Sequence, residues 1–170
     1  GIQELRRLNE GSALINSSYE NNLQKYEVYW SGMTTKRIHG VGIAIKVDSN
    51  IEVIEVIPVN ERIVVADLNI SGCELRIVNC YAPTEEYSDH MKDHFYRTLS
   101  KSLNVPRSRK IICLGDFNAT SSALWYNSSL REDVIIDNLT INNNGERLHQ
   151  FFHQQRLSVL NSWFTHKQCC

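Results

Sequence analysis

Short stretches in which apolar and polar residues alternate dominate the first two thirds of the chain, and they predict strands. Glu27–Ser31 reads as a short strand, followed by a polar, basic turn over Gly32–His39. Gly40–Val47 is rich in β-branched residues, and Gly42 within it leaves room for another backbone to approach. Ile51–Ile57 and Arg62–Ile70 follow. Ser71-Gly72 then predicts a hairpin that joins Arg62–Ile70 to Glu74–Tyr81.

The period changes after Pro83. Tyr87, Met91, Phe95, Leu99 and Leu103 recur at steps of four and predict a helix over Thr84–Leu103, with Thr84 as its N-cap. Glu85, Glu86 and Asp89 lie in its first turns, where the helix dipole favours negative charge. Ile111–Leu114 is a continuous apolar run, the pattern of a strand buried on both faces. A second helix is expected over Gly145–Arg156, capped by Asn144, with Leu148, Phe151 and Phe152 turned inward. A last short strand is expected at Ser158–Asn161, and the polar stretch from Asp116 to Asn144 is too long for a simple connection. Neither a repeat nor a linker divides the chain, so residues 1–170 are read as a single α/β domain.

Composition narrows the classes. With 170 residues, 42% hydrophobic and 22% charged, the chain has the make-up of a globular protein that folds without staples. The net charge of -1 argues against a tight structural nucleic-acid binder, which needs many uncompensated cations. It leaves room for an enzyme that touches nucleic acid transiently. The five cysteines show no zinc spacing, and Cys73, Cys80 and Cys113 sit in apolar runs where a thiol behaves as a small buried hydrophobe. A reducing compartment follows, nuclear or cytoplasmic and not secreted. Five Asn-x-Ser/Thr triplets are taken as chance in an Asn- and Ser-rich chain. No apolar stretch approaches the ~20 residues of a membrane helix.

Three short segments carry candidate chemistry. Gly115-Asp116-Phe117-Asn118 directly follows an apolar strand, so Asp116 and Asn118 emerge at its carboxyl end, where open sheets commonly place sites. Those four residues are read equally well as an Asx turn that ends a strand. Asn79-Cys80-Tyr81-Ala82-Pro83-Thr84 puts an amide and a phenol on one face of a strand end, suited to an anionic oxygen or simply to the core. Glu4, in Ile2-Gln3-Glu4, means nothing alone and is by default a solvated acid. His90 and His94 stand one helical turn apart without an evident third ligand, which favours a solvated helix face.

Taken together and in this order, the three segments resemble the endonuclease/exonuclease/phosphatase (DNase I-like) family. His39-Gly40-Val41-Gly42, the run Tyr81-Ala82-Pro83-Thr84-Glu85 leading to Phe95-Tyr96, Asn144-Gly145, and Asn161–Lys167 narrow the likeness. They are similar to endonuclease domains of retrotransposons without long terminal repeats, and to the craniofacial development protein 2 type sequences descended from them. The resemblance covers nearly the whole chain, and the Asn118–Asn142 loop is its least typical part.

The resemblance implies a four-layer α/β sandwich, incomplete at both ends, and a Mg²⁺-dependent endonuclease that nicks DNA, with Mn²⁺ as a substitute ion. It assigns Glu4 to the metal, Asp116 to the attacking water and the metal, and Asn118 to the same water and metal. It makes Tyr81 a catalytic contact to the scissile phosphate and Asn79 a substrate-binding one. DNA is the implied partner, with a reverse transcriptase region in the same polypeptide. Lys36 and Arg37, and Trp125, Tyr126 and Arg131 in the long loop, are candidate DNA contacts or plain solvated loop residues.

The pattern also departs from the family. The family's metal-binding Asn before the glutamate, its late Thr-Trp, its Ile-Asp-Tyr strand and its Ser-Asp-His are not among these residues, and all six histidines lie elsewhere. His166 matches a loop histidine, not the catalytic one. The expectation is therefore a weak or inactive nuclease. The alternatives are a non-catalytic binding remnant of the same fold, or a phosphatase of that fold.

Overall fold

The computed structural model describes all residues except 20, 21, 48, 49, 107, 121–140 and 161–170. Its strands are β1 (Glu10–Tyr19), β2 (Asn22–Ser31), β3 (Val41–Lys46), β4 (Ile51–Asn60), β5 (Ile63–Ile70), β6 (Cys73–Tyr81) and β7 (Lys110–Asp116). The helices are α1 (Asp89–Ser102) and α2 (Asn143–Gln155). The chain divides into two compact units: Gly1–Ala82 with Arg97–Asp116, and Pro83–Tyr96 with the residues from Phe117 onward.

The first unit holds two sheets, ordered β1-β2-β3 and β4-β5-β6-β7. Val41, Ile43 and Ile45 of the first share a core with Val64, Ala66, Leu68 and Tyr81 of the second. Two apolar sheet faces thus bury each other, which is the α/β architecture expected of the DNase I-like type. The Ser71-Gly72 hairpin forms as its sequence predicts, with Ile70 opposite Cys73. The strand β7 runs parallel to β6.

Burial corrects two expectations. The strand sheathed on both faces is β5, whose residues Ile63 to Leu68 are all buried between β4 and β6. The run Ile111–Leu114 belongs to β7, last in the sheet order, and its Ile112 is 38% exposed. Apolar content reported the strand, and position in the sheet decided its burial. Cys73 is likewise exposed rather than buried, whereas Cys80 is buried and Cys113 half-buried, all three as free thiols.

The first strand, β1, went unpredicted because Glu10–Tyr19 mixes Gly, Ser and Asn with few alternating apolar residues. It exists through its full pairing with β2. Gly11 admits the Trp30 ring there, for a Cβ would come within 2.6 Å of it.

The helices start later, or are capped differently, than predicted. Residues 84–88 form turns, and Met91 and Lys92 donate their N–H groups to the Ser88 carbonyl, so α1 begins at Asp89 rather than at Thr84. Met91 of the predicted stripe is 42% exposed, and the buried face is Lys92, Phe95, Tyr96, Leu99 and Leu103. Asn142, not Asn144, caps α2 by accepting from the Gly145 N–H. Ser158 to Leu160 form no strand, and Asn161 lies outside the described residues. In the second unit Tyr96 packs on Phe151, and Phe117 on Phe152.

Candidate active site at the carboxyl ends of two parallel strands

Parallel pairing brings two sequence-distant residues side by side. The β6–β7 register sets Tyr81 opposite Asp116 and Asn79 opposite Leu114. Paired residues in a parallel ladder point to the same face, as do residues two apart along a strand. Asn79, Tyr81 and Asp116 therefore share one face at the carboxyl ends of both strands. The Ala82 N–H donates to the Asp116 carbonyl at 2.8 Å and continues the ladder past the site.

The N-terminal segment reaches the same place. Ile2 exchanges both backbone hydrogen bonds with Gly42, at 2.8 and 2.9 Å, and the Leu5 N–H donates to the Gly40 carbonyl. Between these anchors Glu4 takes a left-handed conformation, φ 54°. Its Oε1 accepts from the Tyr81 hydroxyl at 2.8 Å and its Oε2 from Arg6 at 3.0 Å.

Asn79 is fully buried and braces this segment. Its amide donates to the carbonyls of Ile2 and Gly42 and its Oδ1 accepts from the Gln3 side chain at 2.6 Å. A side chain so enclosed acts on the site through the backbone that carries Glu4.

Two residues that the sequence reading left without a role support Tyr81. The Arg62 guanidinium is buried, lies over the Tyr81 ring at 5.6 Å, and donates to the Tyr81 carbonyl at 3.2 Å. Its second nitrogen is 3.2 Å from His39 Nε2. A guanidinium only donates, so Nε2 accepts and the neutral ring carries its proton on Nδ1. The His39 ring stands 6.1 Å from that of Tyr81. The clue for Arg62 was a charged residue directly preceding the apolar run Ile63–Ala66; that for His39 was its place in His39-Gly40-Val41-Gly42.

Electrostatics follow from these contacts. The Tyr81 hydrogen bond, and after it the one from Arg6, hold the Glu4 carboxyl below the usual range. Burial and then Glu4 push the Tyr81 phenol up, so at neutral pH it is a protonated donor facing an ionised acceptor. Burial and then the charge of Arg62 lower His39, which keeps it neutral.

Asn118 belongs to the second unit. It follows Asp116 by two residues, has φ 47°, and its carbonyl accepts from the side-chain amides of Asn144 at 3.1 Å and Asn142 at 3.4 Å. The structure thus gathers Glu4, Asn79, Tyr81 and Asp116 and treats Asn118 separately. Lys36 and Arg37 are exposed in the loop before β3, whereas Trp125, Tyr126 and Arg131 lie outside the described residues.

The donor set suits a hard cation only in part. Mg²⁺ keeps several waters and is commonly held by one or two carboxylates, and Glu4 and Asp116 are exposed acids that flank Tyr81. Among the described residues no group of three or more His, Cys, Asp or Glu side chains forms a closed cage. An open, water-rich site is the kind these residues fit.

The parallel strand pair β6–β7 thus ends in Tyr81 and Asp116, with Glu4 hydrogen-bonded to the phenol, in a two-sheet α/β unit of the DNase I-like type. The family model described as endonuclease-reverse transcriptase matches residues 75–169, and the chain belongs to that family. The match includes Asn79, Tyr81, Asp116 and Asn118, while Glu4 precedes it. No curated protein matches the chain. Among the described residues no helix is long and apolar enough to cross a membrane.

Proposed function

We propose that this chain carries the core of a Mg²⁺-dependent DNA endonuclease that nicks target DNA for a retrotransposon, alongside a reverse transcriptase in the same polypeptide. The observation that carries the reading is Tyr81, hydrogen-bonded to Glu4 and paired in register with Asp116. Glu4 and Asp116, with Asn118, would hold the ion. A bound Mg²⁺ would supply positive charge where negative charge builds on the phosphate.

The chain's own groups do the rest. Asp116 accepts a proton from the attacking water, and Asn118 orients that water. The new bond joins the water oxygen to phosphorus, the bond to the 3′ oxygen breaks, and that oxygen takes up a proton to leave a 3′ hydroxyl. Tyr81 donates to a phosphate oxygen once substrate draws its hydroxyl from Glu4, a contact that strengthens as charge develops. Arg62 and His39 fix the ring that makes this exchange, and Asn79 fixes the backbone of Glu4.

Calorimetric titration with Mn²⁺ or Mg²⁺ and a supercoiled-plasmid assay test the reading. The expected results are a binding heat that Glu4→Gln abolishes, and metal-dependent nicking that Asp116→Ala lowers by about 10²-fold or more. Activity on soluble phosphate esters with none on DNA would make the chain a phosphatase. No heat and no turnover would leave a binding remnant.

A further inference from the structure

Among the described residues of the second unit, Asn144 is the most enclosed polar side chain, with 0% of its surface exposed. It is not needed as the cap of α2, because Asn142 fills that position. Its Nδ2 instead donates to two carbonyls far apart in sequence, Pro83 at 2.8 Å and Asn118 at 3.1 Å. Pro83 is two residues past Tyr81, and Asn118 is two residues past Asp116. One planar amide therefore fixes the spacing of the segments that leave both site strands.

The anchor is itself held. The Asn144 N–H donates to Glu85 Oε1 at 2.7 Å, and Glu85 Oε2 accepts from the buried Lys92 ammonium at 3.3 Å. Lys92 also donates to Asn143 Oδ1 at 3.0 Å. Asn118, meanwhile, has a left-handed backbone, which asparagine tolerates better than most non-glycine residues and which the donors at its carbonyl hold in place. Its carbonyl is where that constraint is applied. Asn142 adds a weaker donor to the same oxygen while its own Oδ1 accepts from the Gly145 and Thr120 N–H groups.

We infer that Asn144, assisted by Asn142, is a positioning residue for phosphodiester hydrolysis: its amide clamps the Pro83 and Asn118 carbonyls and so holds Asn118 in its working conformation. The inference rests on the endonuclease reading, which gives Asn118 its part in the chemistry. It is read in two variants that keep size and remove the donor. Asn144→Asp places an acceptor against two carbonyls. Asn142→Asp retains the helix cap, since aspartate caps as well as asparagine, and loses only the donor to Asn118.

The experiment is a double-mutant cycle in plasmid nicking, joined to NMR of the Asn118 resonances in each variant. Asn144→Asp is expected to lower kcat by about 10²-fold, as Asn118→Ala does, with KM little changed, and the double variant should be no slower than either single one. Asn142→Asp should lower kcat less, in the same direction, with an unchanged melting temperature. Losses that multiply, or wild-type kcat in Asn144→Asp, would overturn the inference. If the parent chain fails to nick at all, the endonuclease reading falls and NMR decides the clamp. Shifted Asn118 signals in Asn142→Asp, with the rest of the spectrum intact, support it, and unmoved ones overturn it.

Discussion

The hydroxyl of Tyr81 donates to Oε1 of Glu4 at 2.8 Å across 77 positions of sequence. This bond ties the N-terminal segment to the end of β6, and it sets the charge state of both partners in opposite senses. Glu4 is held low chiefly by this bond, whereas for Tyr81 it adds to the larger effect of burial.

Tyr81→Phe therefore should release Glu4. With the donor gone, Arg6 remains as the main stabilising partner, and the Glu4 carboxyl pKa rises toward its ordinary value of 4.5. A carbon-detected NMR titration of the glutamate carboxyl reads this directly. A Glu4 midpoint unchanged by the substitution would mean that the bond does not form in solution. Nicking should fall as well, by about 10²-fold, if Tyr81 is the phosphate donor proposed above.

Metal binding to the folded chain alone should raise thermal stability by mass action. At a concentration of about 100 times its dissociation constant, Mn²⁺ or Mg²⁺ should add about 2.7 kcal/mol. Chelation with EDTA should reverse the gain fully. Glu4→Gln should show no gain at either ion, measured as the shift in melting temperature on addition of metal. An equal gain in Glu4→Gln would place the ion elsewhere.

How much of this was legible follows from which forces are local. The β5–β6 hairpin was visible because Ser71-Gly72 is a turn signal between two β-branched runs, and Gly72 does have φ 86°. Tyr81 and Asp116 were visible as strand-end residues, but their adjacency comes from the parallel register, which no local pattern encodes. Burial of Asn79 depends on a backbone segment 77 residues away, so its bracing of that segment could not be read from the strand alone. Arg62 was hidden because a buried cation is recognised by its partners, here Tyr81 and His39, and these come from separate strand ends. The cap of α2 was misplaced by two residues because three consecutive asparagines each have the chemistry to serve.

The Asp67 carboxylate predicts acid sensitivity. It is 4% exposed, sits in the central strand, and is gripped by Arg76 at 2.6 and 2.7 Å and by Arg109 at 2.6 Å. The Arg76 hydrogen bonds are the main reason that its pKa lies below 3.8. A carboxylate whose folded pKa is depressed stabilises the fold above its ordinary value, and that contribution disappears as pH falls through the folded value. Resistance to urea unfolding should thus fall with acidification below pH 3.8 more steeply in the parent than in Asp67→Asn. At neutral pH Asp67→Asn should cost about 3 kcal/mol, since two half-buried guanidinium groups lose their shared acid. A neutral-pH loss well under that would mean that solvent reaches the cluster.

Two glycines separate crowding from backbone strain. A Cβ on Gly42 would come within 2.9 Å of the Tyr29 carbonyl oxygen and 3.2 Å of the Leu5 side chain. The Gly42 carbonyl also accepts from Ile2 and from Asn79, so the shift needed to fit a methyl group displaces the segment that carries Glu4. Gly72 has open space around it and φ 86°, so alanine there strains only a turn at the far end of β6. Both Gly42→Ala and Gly72→Ala should lower stability, by about 1–3 kcal/mol from crowding at residue 42 and about 1–2 kcal/mol from the left-handed backbone at residue 72. Only Gly42→Ala should also raise the Glu4 pKa, because only it separates that carboxylate from the Tyr81 hydroxyl. Equal Glu4 titrations in the two variants would show that the N-terminal segment is not seated on β3.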